Sequence, residues 1–199
     1  MTETEERPYH HGSLRDELLS TAEQTLREHG QDELSLRELA RRAGVSHAAP
    51  RRHFRDRQAL LDALAITGFE RLGAQLETAI EAADDGFSPR LHATVGAFVR
   101  FATRDAALLE LMFSTKHRDG AEEVREAAAA AFGPLPGLME QGQAEGLLAA
   151  GTSSRAGIML LATVLGIATL INGGMVGSER LDELVDAAVD QFLRGNRPS

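Results

Sequence analysis

Residues 34–54 read LSLRELARRAGVSHAAPRRHF, and this stretch decides the fold. Ser35 followed by Glu38 is a capping-box pattern that opens a short helix. Gly44 closes that helix. Ser46 can cap another short helix running to Phe54. Pro50 falls near its first turn, where a backbone N–H has no intrahelical partner and its loss costs little. Two short helices joined by a glycine-containing turn make a helix-turn-helix. In that arrangement the second helix enters the major groove, so its outward residues must be polar or small. Ser46, His47, Ala48, Ala49, Arg51 and Arg52 meet that requirement. Leu36, Leu39, Ala40, Ala43, Val45 and Phe54 supply the inward face. The bland alternative is a plain three-helix core with a solvated basic face.

Charge is distributed in favour of the first reading. The whole chain of 199 residues carries a net charge of −9. Residues 34–57 nevertheless hold seven arginines (Arg37, Arg41, Arg42, Arg51, Arg52, Arg55 and Arg57) against two acids, Glu38 and Asp56. A basic patch on an acidic body suits a polyanion at one end and discourages adhesion elsewhere. Arginine also pairs bidentately with guanine or grips phosphate.

Outward from this stretch, nearly every segment has helical periodicity, and no run alternates long enough for a strand. On the N-terminal side, Ser13 is positioned to cap a helix with the apolar stripe Leu14, Leu18, Leu19, Ala22 and Leu26, stopped by Gly30. On the C-terminal side, Asp56 caps a long helix carrying Leu60, Leu61, Leu64, Phe69, Leu72, Leu76 and Ile80. Ser88-Pro89 reads as cap plus first-turn proline for the next helix. Asp105 caps a short apolar helix, Leu108–Phe113, followed by a loop over 114–120. Ala121–Ala131 favours helix by propensity. Residues 133–137, GPLPG, interrupt it, and helix resumes to about Leu148.

Ala156–Val176 is uncharged and close to a membrane span in length. It lacks aromatic anchors and contains Gly157, Gly166, Gly173 and Gly174, so burial in a core or a subunit interface is the alternative. The last helix, from about Glu179, is amphipathic through Leu181, Leu184, Val185, Ala188, Val189 and Phe192.

Other function classes find little support. There are no cysteines, hence no disulfide framework, thiolate nucleophile or Cys-based zinc site. Of the seven histidines, none pairs at helical ligand spacing on one helix, so no metal and no cofactor is expected. Serine-nucleophile motifs and phosphate-binding glycine loops are missing, and the expectation is that this is not an enzyme. Met1–Arg7 is acidic without an apolar run, so no secretory signal is read and the protein is expected to be cytoplasmic.

The motifs Tyr9-His10-His11-Gly12-Ser13-Leu14-Arg15, Leu34-Ser35-Leu36-Arg37-Glu38-Leu39-Ala40, Ala43-Gly44-Val45-Ser46, His53-Phe54 and Asp56-Arg57 with Leu60-Leu61 resemble, in that order and spacing, the N-terminal domain of the TetR family of repressors. The remainder resembles one regulatory branch more loosely, through Phe98-Val99-Arg100-Phe101-Ala102, Leu111-Met112-Phe113 and Gly142-Gln143-Ala144-Glu145-Gly146. That branch often carries a Trp…His-Gly pattern in its eighth helix; here Leu161, Leu165 and Gly166 stand there instead. The resemblance implies that Arg37 reaches DNA, that Ser46, His47, Ala48 and Ala49 read bases, and that His53 and Arg57 contact the backbone. Arg51 occupies a place usually held by a phosphate-contacting tyrosine, which leaves base and backbone both open for it.

The same resemblance implies a small-molecule ligand in the second part of the chain. Phe98, Phe101, Met112, Phe113, Met139, Met159 and Leu165 are the candidate lining, with plain core as the alternative for such apolar periodicity. Arg100 and Arg104 share a helix with the aromatics, and either one turned inward would suit an anion. The expected architecture is all-α with about nine helices: a helix-turn-helix domain at 9–55 and a regulatory, dimerising domain at 56–196. The last two helices are expected to pair with their copies in a homodimer that binds double-stranded, near-palindromic operator DNA. The expected activity is that of a transcriptional regulator, a repressor released by an unidentified small molecule, with no membrane involved. The rival reading is a ligand-binding or scaffold protein that uses the helix-turn-helix as a protein-interaction module.

Overall fold

The computed structural model describes residues 14–151 and 154–198. The described chain is all helical: α1 (Leu14–His29), α2 (Leu36–Arg42), α3 (Arg57–Ala82), α4 (Phe87–Arg104), α5 (Ala106–Lys116), α6 (Glu122–Ala131), α7 (Pro134–Ala144), α8 (Ser154–Asn172) and α9 (Leu181–Gly195), with short 3-10 turns at 31–33, 50–52 and 178–180. It divides into two compact units, Met1–Leu64 and Ala65–Ser199. The division falls inside α3 and not at its start, the place expected from the sequence. The cap expected at Ser13 lies outside the described residues.

In the first unit, α1 buries Leu18, Leu19, Ala22 and Leu26. Gly30 ends it with φ +77°, a conformation open to glycine at no steric cost. Ser35 Oγ accepts the Glu38 N–H at 3.1 Å, which is one half of the expected capping box. The Glu38 carboxylate turns instead to arginines described below. At the far end of α2, Gly44 adopts φ +67° and the Val45 N–H donates to the Ala40 carbonyl at 3.0 Å. The Gly44 N–H donates to Arg41, completing a Schellman closure. Asp56 Oδ1 caps α3 through the Ala59 N–H at 2.8 Å.

Between α2 and α3 the structure departs from expectation. Ser46–Phe54 is not an α-helix but a turn followed by the 3-10 segment Pro50–Arg52. Pro50 has no N–H to give the Ser46 carbonyl, which accepts from Ala49 at 2.9 Å instead. Bonds from Arg52 to Ala49 and from His53 to Pro50 keep the tighter pitch.

In the second unit, α4 is the central element. It buries residues on most of its circumference, from Phe87 through Leu91, Val95, Phe98, Val99 and Phe101, and packs against α5, α7, α8 and α9. Phe69 of α3 meets Phe113 and Phe132 edge-on, with centroids 6.1 and 6.5 Å away. Helix α4 starts at Phe87, ahead of the expected Ser88-Pro89 cap. Its first N–H is capped from a distance: Phe87 N donates to the Glu145 carboxylate at 3.0 and 3.2 Å. That bond, with help from Gln141 and Arg90, holds the Glu145 carboxyl below its usual pKa.

Three further boundaries differ. Helix α5 extends into the first three residues of the expected loop and ends at Lys116, with the Ser114 hydroxyl donating to the Leu111 carbonyl within the helix. Asp105 stands at the N-cap position of α5, as expected, but its side chain makes no cap bond. Its buried carboxylate pairs with Arg104 at 2.9 Å and Arg71 at 3.7 Å. Helix α7 begins directly at Pro134, whose missing N–H is tolerated at a first turn, and ends at Ala144 and not Leu148. Helix α8 stops at Asn172, short of Val176, and the chain turns at Gly174, φ +67°.

Gly142 lies under the Phe87 ring, where a Cβ would come within 2.8 Å of ring carbons. Gly142→Val should therefore push α7 from α4 and lower stability by about 1–3 kcal/mol. Urea unfolding followed by circular dichroism reads this directly, and an unchanged midpoint would show that the close approach is not needed.

Candidate nucleic-acid interface and regulatory cavity

The segment from Ser46 to Phe54 alternates anchors and free side chains. Pro50 and Phe54 are buried. Ser46, His47, Ala48, Arg51, Arg52 and His53 are exposed, and Ala49 is half-buried. Two inward anchors thus hold a short surface whose outward groups are small side chains, imidazoles and guanidinium groups. Arg15, absent from the sequence-derived candidates, places its guanidinium 5.8 Å from the centre of the Phe54 ring. It brings another cation to the recognition segment. The sequence signal was only its place beside the YHHG motif.

The seven arginines do not stand equal. Arg41 Nε donates to Glu38 at 2.8 Å. Arg42 donates to Glu38 at 2.9 Å and to Glu28 of α1 at 3.0 Å. Arg55 sits 3.3 Å from the Asp56 carboxylate. Arg57 Nε donates to the Leu34 carbonyl at 2.7 Å, and its Nη2 donates to Gln31, so its guanidinium ties the start of α3 to the α1–α2 connection. Arg37, Arg51 and Arg52 have no hydrogen-bond or ion-pair partner among the described residues and are exposed. Local cationic charge is therefore neutralised at Arg41 and Arg42 and left available at Arg37, Arg51 and Arg52.

The second unit encloses a cavity of about 400 Å³ between α3, α4, α7, α8 and α9. Phe98 and Met139 line it. The other candidate residues lie elsewhere. Phe101 is buried beneath the Arg71 guanidinium, 5.7 Å from the ring centre. Met112 packs where a Cβ on Gly68 would sit. Phe113 lies between Phe69 and the Lys116 ammonium, 4.7 Å away. Leu165 is half-buried on α8, outside the lining. Met159 is 61% exposed and borders a separate, smaller cavity of about 280 Å³. Helical periodicity marks such residues as apolar but cannot separate core from cavity wall. Phe132, Leu135, Leu160 and Phe192 are among the other lining residues, and their spacing alone does not distinguish them from core. Among the described residues no three His, Asp or Glu side chains gather as a metal site.

Glu38 is held at a pKa of about 2, well below the ordinary 4.5, first by its bond to Arg41 and then by that to Arg42. A depressed carboxylate stabilises the fold above 4.5, and that contribution disappears as pH falls through about 2. Thermal melts across this acid range should fall more steeply for the natural protein than for Glu38→Gln. Equal slopes would remove Glu38 from the acid response. Arg57→Ala should lower the melting temperature of the first unit, because two backbone carbonyls lose a cationic donor; an unchanged melt would contradict the tie.

Both units match known protein families. Residues 18–64 match the bacterial regulatory proteins of the tetR family, and residues 91–192 match the tetracyclin repressor-like C-terminal domain. A protein of unknown function from Rhodococcus sp. RHA1 is 51% identical, with a TM-score of 0.87 over 97% of this chain and 100% of that one. The fatty acid degradation regulator FadR from Bacillus halodurans superposes with a TM-score of 0.71 at 20% identity, over 92% of this chain and 96% of its own. The TetR family transcriptional regulator PfmR from Thermus thermophilus gives 0.70 at 22% identity, over 89% and 97%. No curated protein matches the sequence. With its helix-turn-helix unit and its helical second unit both matched, the chain belongs to the TetR family of DNA-binding transcriptional regulators.

Proposed function

We propose that the protein is a cytoplasmic, dimeric repressor that occupies a near-palindromic operator and leaves it when a small molecule enters the cavity of the second unit. The observation that carries this reading is the sorting of the arginines. Among the described residues Arg37, Arg51 and Arg52 are exposed and unpaired and the small surface Ser46–Ala48 is exposed, while carboxylates hold Arg41 and Arg42. Ser46, His47, Ala48 and Ala49 read base edges. Arg37, Arg51, Arg52 and His53 grip phosphates and set register. Arg57 positions the start of α3 in the same surface.

Dimerisation is supported by α8. Its face carries Ile158, Met159 and Leu170, which are 62%, 61% and 40% exposed, interleaved with exposed Ala162 and Gly166. Arg155–Asn172 is apolar and long enough to cross a membrane by length and composition, yet only 17% of it is buried in the single chain. A second copy laid on α8 and α9 covers this face without a bilayer, and the amphipathic α9, which buries Val185, Ala188, Val189 and Phe192, completes a four-helix contact. Twofold symmetry then matches half-sites about 34–36 Å apart. The ligand releases DNA only to the extent that it binds the two forms of the dimer unequally.

Selection from random duplexes should enrich a near-palindrome, and absence of any enriched sequence would end the operator reading. On that duplex, Arg51→Ala and Arg52→Ala should each weaken binding across all sequences and reduce the salt slope by roughly one per site contacted. Loss confined to one base position would make that arginine a base reader. Sedimentation at micromolar protein should give a dimer, and Ile158→Glu on the uncovered face should shift it to monomer; a natural protein that sediments as a monomer would refute the bundle.

A further inference from the structure

The cavity of the second unit differs from what the neighbouring arginines lead one to expect. Its wall is formed by hydrocarbon, with Leu76, Leu91, Phe98 and Phe192 buried and Met139 and Leu160 half-buried. The polar liner is Thr94, whose hydroxyl already donates to the Arg90 carbonyl at 2.7 Å and so offers only its lone pairs. Among the described residues, none of the nearby charges lines it. Arg100 turns to Asp182 at 3.4 Å and lies over Gly96. Arg104 turns to Asp105 at 2.9 Å. Arg90 bonds Gln141 and Asp85 at 3.1 and 3.2 Å. His92 bonds the Ser88 carbonyl at 2.9 Å. A carboxylate or phosphate placed inside would be stripped of water with no counter-charge, which proteins avoid.

Size narrows the class further. An apolar cavity of about 150 Å³ holds one benzene ring. By that measure the 400 Å³ here takes roughly fifteen non-hydrogen atoms. Of the lining residues only Gly157 of α8 and Pro136 of α7 are exposed, which marks them as its mouth, and a Cβ at Gly157 would meet nothing within 4 Å. Glycine thus leaves the mouth clear. Arg155 lines the smaller neighbouring cavity, which shares Leu160 and Phe192 as a common wall. Arg155 is not among the residues that line the main cavity.

We propose that the effector is an uncharged, hydrocarbon-rich molecule of about fifteen non-hydrogen atoms, held by apolar contact and at most one hydrogen bond to Thr94. This rests on the ligand-controlled reading above and names the chemistry of its ligand.

The neutral fluorophore N-phenyl-1-naphthylamine tests it on the full-length protein, read by fluorescence without DNA. It should bind saturably, one per chain. Dodecan-1-ol should displace it on the order of tenfold more effectively than dodecanoate, since only the anion loses hydration that no partner charge replaces. Gly157→Leu, which meets no atom at its Cβ, should keep the melting temperature and weaken the fluorophore by about tenfold by filling the mouth. Dodecanoate displacing as well as the alcohol, with loss of that effect in Arg155→Ala, would overturn the ligand class while leaving a ligand cavity in place. Unchanged binding in Gly157→Leu would overturn the assignment to this cavity, and no saturable binding of any probe would overturn both readings. Binding of the alcohol without release of operator DNA would uphold the ligand class and refute only the release mechanism.

Discussion

One helix supplies buried side chains to both units, and everything else is arranged on that constraint. Helix α3 runs unbroken from Arg57 to Ala82. Leu60, Leu61 and Leu64 are buried in its first part, and Phe69, Leu72 and Leu76 in its second. A helix cannot change its burial pattern without changing the residues that face each core, so the sequence must keep helical spacing through the division at Leu64 and Ala65. The start of this helix is held on two sides, by Asp56 capping its first turn and by Arg57 bonding the carbonyls of Gln31 and Leu34. Both holds lie within the first unit, beside the surface that carries the free arginines.

Electrostatics at the first unit is a matter of subtraction. Net charge by sequence counts every arginine alike, but Glu38 alone occupies two of them and Glu28 shares one. These pairs are exposed and add little stability individually. Their greater effect is on where cationic charge remains. Among the described residues, what is left free is concentrated on Arg37 and the Pro50-Arg51-Arg52 turn, beside the small exposed side chains of Ser46 and Ala48. The proline at the centre tightens the segment to 3-10 pitch, and Pro50 and Phe54 anchor it.

The second unit handles apolar surface in two ways. Around α4 the side chains close on each other, with Gly142 allowing α7 to approach Phe87 and Glu145 supplying the missing cap of α4. Along α8 one side lines the cavity through Gly157, Leu160, Leu161 and Val164, while the other presents Ile158, Met159 and Leu170 to solvent in the single chain. The two stripes of one helix thus serve two tasks, enclosure of a hydrocarbon-lined space and presentation of a face suited to a second copy.

Much of this was legible in the sequence because it is local. Ser35, Gly44, Asp56 and Gly30 act within a few residues of themselves, so caps and stops for α1, α2 and α3 follow from residue type and spacing. The family resemblance is carried by the same local motifs. What needed the tertiary structure was anything decided between distant segments. Glu145 caps α4 from 58 residues away, Asp105 turns from a cap to an ion pair with Arg71, and Arg57 reaches back to the α1–α2 connection. Spacing could mark Phe98, Phe101, Met112 and Met159 as apolar, but whether each faces core, cavity or open surface depends on which helix packs opposite. The sequence by itself determined an all-α chain with a basic helix-turn-helix. Only the folded arrangement decided, among the described residues, which arginines stay free and that no charge lines the cavity, because both depend on partners that no local pattern encodes.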